Sequence, residues 1–230
     1  MPDVYLSPST QDYNPYIIGG SEKYYMNLGD NFVQEGLAYR ITPFNTKAPG
    51  AKNFDTEKTY NNVMNRFKWG GLDKPGLYID ETVMRMCYTH RHLFATLAMQ
   101  LIAEGQNAKA EKVLRKSEKV LPEYNVPYTF MSGASDLARA YALIGKKADA
   151  ARILNKVWAD AKSYADYYLQ LTGSRFMMSQ NEVLRQLYIM QNIADMTQAC
   201  DKNLANQRLK TINALYAVYQ AKGGTPYQGE

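Results

Sequence analysis

The side chains best suited to chemistry in this 230-residue chain are two histidines, His90 and His92, and two cysteines, Cys87 and Cys200. His90 and His92 stand two apart, so on a helix they point to different faces and cannot chelate one metal together. Cys87 and His90 are three apart and share a face, supplying two of the three or four ligands that a zinc site needs. With no further Cys/His pair nearby in sequence, packing is the favoured role, and no metal or cofactor is expected. Nucleophilic catalysis requires a nucleophile, a base and an orienting group that meet in space. The chain has no Gly-x-Ser-x-Gly elbow, and Asp80-Glu81 and the pair Asp55 and Glu57 fall at helix starts, where the helix dipole accounts for them. Trp69-Gly70-Gly71 follows a helix and lacks the Lys-Ser/Thr of a phosphate loop. The basic run Lys109, Lys112, Arg115, Lys116 and Lys119 is interleaved with Glu111 and Glu118, which marks a solvated helix face. Of the 19 tyrosines, Tyr164, Tyr167, Tyr168, Tyr188, Tyr216 and Tyr219 sit at core-like helical spacing, so packing is preferred over a ligand platform. No catalytic residue is assigned.

The elements that would carry these side chains are read from a duplicated signature. Leu97, Ala98, Leu101, Gly105, Ala110 and Leu114 recur 40 residues later as Leu137, Ala138, Tyr141, Gly145, Ala150 and Leu154. A small residue on one helix, Gly at the turn and Ala five positions on match the tetratricopeptide helical hairpin. Pro122 stands where that pattern ends its second helix, and the second copy has Lys162 there. The loop at 122–133 accounts for most of the excess over the usual period of about 34 residues. A third register would need Gly where Arg185 stands. The expected fold is therefore all-α: two clear tetratricopeptide-like hairpins flanked by cap helices, with an irregular N-terminal arm.

Further along the same lines, residues 1–54 form the arm, 55–222 the helical domain and 223–230 a flexible tail. Prolines 2, 8, 15, 43 and 49 with Gly19-Gly20 and Gly50 break up the arm; 28–37 is its one candidate helix, and 38–41 reads as a strand or extended link. The arm's aromatics, Tyr5, Tyr13, Tyr16, Tyr24, Tyr25 and Phe32, favour packing on the body. Asp55 and Asp80 are N-caps, the latter opening what reads as the longest helix, ending at Gly105. Ser179 and Glu182 have capping-box spacing for a later helix, and a last one ends at Gly223-Gly224.

Composition narrows the partners. Net charge is +5, with −2 over residues 1–60 and +7 spread over the rest. No Arg-rich block or nucleic-acid motif accompanies it, so nucleic acid is not expected as a partner. The most apolar stretch, 93–103, is far short of the roughly 18–20 residues needed to span a bilayer. Met-Pro-Asp-Val-Tyr has neither the basic nor the apolar region of a signal peptide. Two cysteines leave the redox compartment open. In tetratricopeptide arrays the first helix of each hairpin lines a concave groove. The register puts His92, Thr96 and Met99 there from the first repeat, and Arg139 and Leu143 from the second, as candidate contacts for a protein or peptide.

Four segments outside the periodicity are distinctive: Gln34-Glu35-Gly36-Leu37-Ala38-Tyr39-Arg40, Phe67-Lys68-Trp69-Gly70-Gly71-Leu72, Arg85-Met86-Cys87-Tyr88-Thr89-His90-Arg91 and Tyr124-Asn125-Val126-Pro127-Tyr128. Together they resemble the C-terminal soluble region of a bacterial family of multi-spanning membrane proteins of unassigned function. The N-terminal half of that family is similar to protein O-mannosyltransferases, which use polyprenyl-linked sugars. The resemblance covers residues 28–220. It implies a non-catalytic accessory or interaction domain on the extracytoplasmic (periplasmic) face of the inner membrane. Its partner would be a protein, a peptide or the membrane half of its own parent, which would hold the catalytic acid; none of the family's catalytic residues maps onto this chain. The alternative is a free-standing, cytoplasmic tetratricopeptide adaptor, with a small independent enzyme a distant third.

Overall fold

The computed structural model describes residues 5–6, 31–46 and 48–225. Among them the chain is mostly helical. Three short strands, β1 (Tyr5–Leu6), β2 (Phe32–Gln34) and β3 (Tyr39–Ile41), precede seven α-helices: α1 (Thr56–Asn61), α2 (Glu81–Ala103), α3 (Asn107–Val120), α4 (Ala134–Leu143), α5 (Lys147–Gln170), α6 (Gly173–Gln198) and α7 (Lys202–Ala221). Consecutive helices pack against each other from α2 onward, and α2 also packs directly on α4.

The duplicated signature is the interior. Leu97, Ala98, Leu101, Ala110 and Leu114 are fully buried, and their counterparts Leu137, Ala138, Tyr141, Ala150 and Leu154 are buried with them. Both hairpins close with the same backbone device. Gly105 (φ +74°) and Gly145 (φ +80°) adopt the left-handed conformation that costs a side-chain-bearing residue most. Gln106 N–H then donates to the Leu101 carbonyl at 2.7 Å and Gly105 N–H to Ile102 at 2.9 Å; Lys146 and Gly145 repeat the pair onto Tyr141 (2.9 Å) and Ala142 (3.0 Å). These paired bonds form a Schellman motif, which satisfies carbonyls that the helix end would otherwise strand.

Asp55 and Asp80 cap their helices as expected, accepting from the Lys58 N–H at 2.9 Å and the Val83 N–H at 3.0 Å. Helix α1 loosens into a π-helical turn at Asn62–Arg66 before the Gly70-Gly71 connection. Two helix expectations need correction. The longest helix is α6, at 26 residues, ahead of α5 (24) and α2 (23). And α6 starts at Gly173, not at Ser179, because Gly173 (φ +57°) allows a sharp break from α5 and Thr172 occupies the cap position. Ser179 is inside the helix, its hydroxyl donating to the Arg175 carbonyl at 2.9 Å. No proline stops α5 where Pro122 follows α3, so α5 runs on to Gln170.

The arm is less irregular than its prolines imply. Residues 32–34 form a strand where a helix was expected, and β1, β3 and β2 make an antiparallel sheet in that order. Gly36 (φ +86°) turns the chain, and burial of Val33 between half-buried neighbours has the period of a strand. The 38–41 expectation stands as β3. The hairpin is fastened to α1 by the Gly36 N–H, which donates to the Thr59 hydroxyl at 2.9 Å, and by buried Glu35, which pairs with Arg40 and Lys58. Burial alone would raise the Glu35 pKa; those two cations outweigh it and hold the carboxyl below its usual range. Phe32 meets Tyr39 edge-on at 6.4 Å, while Tyr13, Tyr16, Tyr24 and Tyr25 lie outside the described residues. At the other end, Tyr219 donates to the Thr225 carbonyl at 2.7 Å, so 223–225 are tied to α7; residues 226–230 of the expected tail are outside the described residues.

The loop between the two hairpins folds around Arg91, which is wholly buried. Its Nη1 donates to the carbonyls of Pro127 (3.2 Å) and Ser132 (3.4 Å), and its Nη2 to those of Leu121 (3.1 Å) and Val126 (2.6 Å). The guanidinium stacks over the Tyr128 ring at 4.8 Å, and among the described residues no carboxylate pairs with it. Lysine at this position would present its donors from a point and could not span four carbonyls arranged around a planar fork. Arg91→Lys is therefore expected to cost about 2–4 kcal/mol in urea-induced unfolding at an unchanged m-value.

Candidate functional site

The five residues mapped to a groove fall on the two packed helices α2 and α4. His92 and Thr96 are exposed on α2, Met99 is half-buried one turn on, and Arg139 and Leu143 are exposed on α4. Leu143, at the last turn of α4, leaves 55% of its surface in solvent. Arg139 makes no ion pair among the described residues, in contrast to Arg40, Arg85, Arg115, Arg152 and Arg185.

The structure brings His92 to a residue that sequence reasoning missed. Asp136, on α4, places Oδ2 3.3 Å from His92 Nδ1, while His92 Nε2 lies 3.3 Å from the Met131 carbonyl. The hydrogen bond to Asp136 raises the histidine pKa; burial opposes it and the Met131 carbonyl adds to it. The only sequence signal was that Asp136 precedes Arg139 by three positions, and so shares its face. Gly133 (φ +74°) makes room for this junction, since a Cβ there would lie 3.0 Å from the His92 backbone nitrogen and 3.2 Å from its Nδ1.

The other chemical candidates are structural. Cys87 is buried, which raises its thiol pKa, and His90 meets Trp69 edge-on at 5.4 Å with Nδ1 2.6 Å from the Met86 carbonyl. Among the described residues no cluster of three His, Cys, Asp or Glu side chains is placed to hold a metal. A cleft of about 410 Å³ between the β-hairpin, residues 54–57 and Glu104 is rimmed by charges that satisfy one another: Lys52 reaches Glu104 at 3.2 Å, and Thr56 donates to it at 2.8 Å. The tyrosines divide, where most were expected to pack: Tyr219 is buried, Tyr168 and Tyr216 are half-buried, and Tyr164, Tyr167 and Tyr188 are exposed.

Three of the five residues in the basic run tie α3 to its neighbours, while Lys112 and Lys119 lie on the exposed face that the sequence predicts. Lys109 pairs with Glu57 at 2.8 Å, Lys116 donates to the Met64 carbonyl at 2.9 Å, and Arg115 grips Asp149 on α5 with two bonds of 2.9 and 2.6 Å. Glu118 is the hub, accepting from Tyr141 (2.7 Å), Tyr128 (3.2 Å) and Arg152. The bonds to Asp149, Arg152 and Tyr141 cross from the first hairpin to the second.

Comparison with protein-family models, curated proteins and solved structures finds no match to this chain. Among the described residues no helix is long and apolar enough to cross a membrane.

The Arg115 fork holds the Asp149 carboxyl below its usual range, with burial opposing and Arg152 assisting. A carboxyl depressed in the folded state stabilises it above the unfolded-state pKa and loses that contribution as pH falls through the folded one. Asp149→Asn should therefore lower stability by up to about 1 kcal/mol at pH 7. The deficit should shrink towards zero in denaturation curves taken at successively lower pH below 4.

Proposed function

We propose that the chain is a tetratricopeptide-like interaction domain with no chemistry of its own, which receives a protein or peptide on the exposed face of α2 and α4. One observation carries this reading. The first helices of the two hairpins lie side by side, and among the described residues nothing pairs with Arg139 on the face that also carries an exposed Leu143 and a half-buried Met99. Paired helices of this kind present extended surfaces to partners. An aliphatic anchor beside an arginine is a common centre for such contacts.

The sequence segments at 34–40, 67–72, 85–91 and 124–128 support the wider setting. In it the domain is the accessory part of a membrane-bound, O-mannosyltransferase-like glycosyltransferase, on the extracytoplasmic side. Its partner is then the membrane half of the parent chain or the protein acceptor.

A photo-crosslinker installed at position 143 is expected to capture that partner. The double variant Arg139→Glu/Leu143→Asp, with wild-type helicity, should weaken its binding at least about tenfold. Undiminished binding by that variant overturns the assignment of the face. The isolated chain should also show no turnover of a polyprenyl-phosphate sugar, and turnover would refute the non-catalytic reading.

A further inference from the structure

We infer that His92 is a proton-operated brace between the two hairpins, carried as an imidazolium when α2 and α4 are locked together. Donors and acceptors around the ring decide its charge. Nδ1 faces the Asp136 carboxylate and Nε2 faces the Met131 backbone carbonyl, both at 3.3 Å. A carboxylate and a carbonyl only accept, whereas a neutral imidazole has one N–H and one bare nitrogen. Neutral His92 can satisfy one of the two and must present a lone pair to the other. Taking one proton from solvent turns both contacts into donated hydrogen bonds, one of them charge-assisted.

The place of the contact gives it leverage. Met131 belongs to the turn Phe130–Ser132 that leads into α4, and Asp136 stands in the first turn of α4. The imidazolium therefore ties α2 to both the entrance and the first turn of the second hairpin. The charged groups around the ring act in opposite senses: Asp136 from α4 favours the proton, and buried Arg91 on α2 itself opposes it. Arg139, one turn beyond Asp136, stands on the same face of α4. The balance raises the histidine pKa, so the brace is closed at lower pH and opens as pH climbs through the folded-state value. The brace rests on these contacts alone; a proton dependence of partner binding additionally rests on the function proposed above for the same face.

Two histidines in the chain make the test direct. In a proton NMR titration of the full chain, His92→Gln identifies the His92 resonance by its loss. The expected midpoint lies above the ordinary histidine value of about 6.5, and it should fall in Asp136→Asn, a change at an exposed position that far-UV circular dichroism checks for folding. Nitrogen shifts of the His92 ring below the midpoint should report both nitrogens protonated. A midpoint at or below the ordinary value, or one that Asp136→Asn does not move, overturns the brace. If the midpoint is raised as expected but binding to the crosslinked partner does not change with pH, the brace stands and only its link to that face fails.

Discussion

A buried positive charge with no negative partner governs the centre of this molecule. Removing a guanidinium from water carries a large desolvation cost, and the usual remedy is a carboxylate. Arg91 is instead solvated by four carbonyl dipoles and an aromatic face. All four carbonyls come from one connecting segment, so that segment can have only one conformation while the charge is buried. Its outer side then fixes a second loop, since Asn125 donates to the Leu72 and Lys74 carbonyls at 2.7 and 2.6 Å. The same device recurs at Arg208, which is buried against the Trp158 ring, donates to Asn155 at 2.6 Å and also bonds Thr197. Both sites join elements distant in sequence, one between the first two hairpins and one among α5, α6 and α7.

The two sides of the paired hairpins are held by different physics. Where α3 faces α5, ion pairs and tyrosine hydroxyls converge on Glu118 and Asp149. Where α2 faces α4, one histidine bridges the helices and apolar surface stays uncovered. Completed networks resist new partners, because any newcomer must first displace good bonds. The asymmetry favours the α2 and α4 side as the receptive one.

Local signals in the sequence carried far. The Gly105 and Gly145 turns, the small residues Ala98 and Ala138, and the caps Asp55 and Asp80 were legible because each rests on a few neighbouring positions. The long-range features were not. Arg91 reads as one more polar residue on a mixed helix, and its burial depends on carbonyls 30 to 41 positions away. Asp136 gives no hint of His92. The strand at 32–34 was hidden by a window with helix-like composition, although Gly36 marked its turn. At α6 a Ser and Glu pair imitated a capping box inside a helix that Thr172 and Gly173 had already started. Of the candidate site, the five groove positions lie on two adjacent helices; which contacts organise them had to come from the folded chain.

The unequal lengths of α3 and α5 have a consequence for growth. α5 exceeds α3 by ten residues, an overhang of about 15 Å at the rise of an α-helix. The next pair, α6 and α7, is long in both of its helices, at 26 and 20 residues. The step in size makes the third pair a poor template for a fourth. Open-ended helical arrays lengthen by duplication of a uniform unit; the step in length from α3 to α5 breaks that uniformity here.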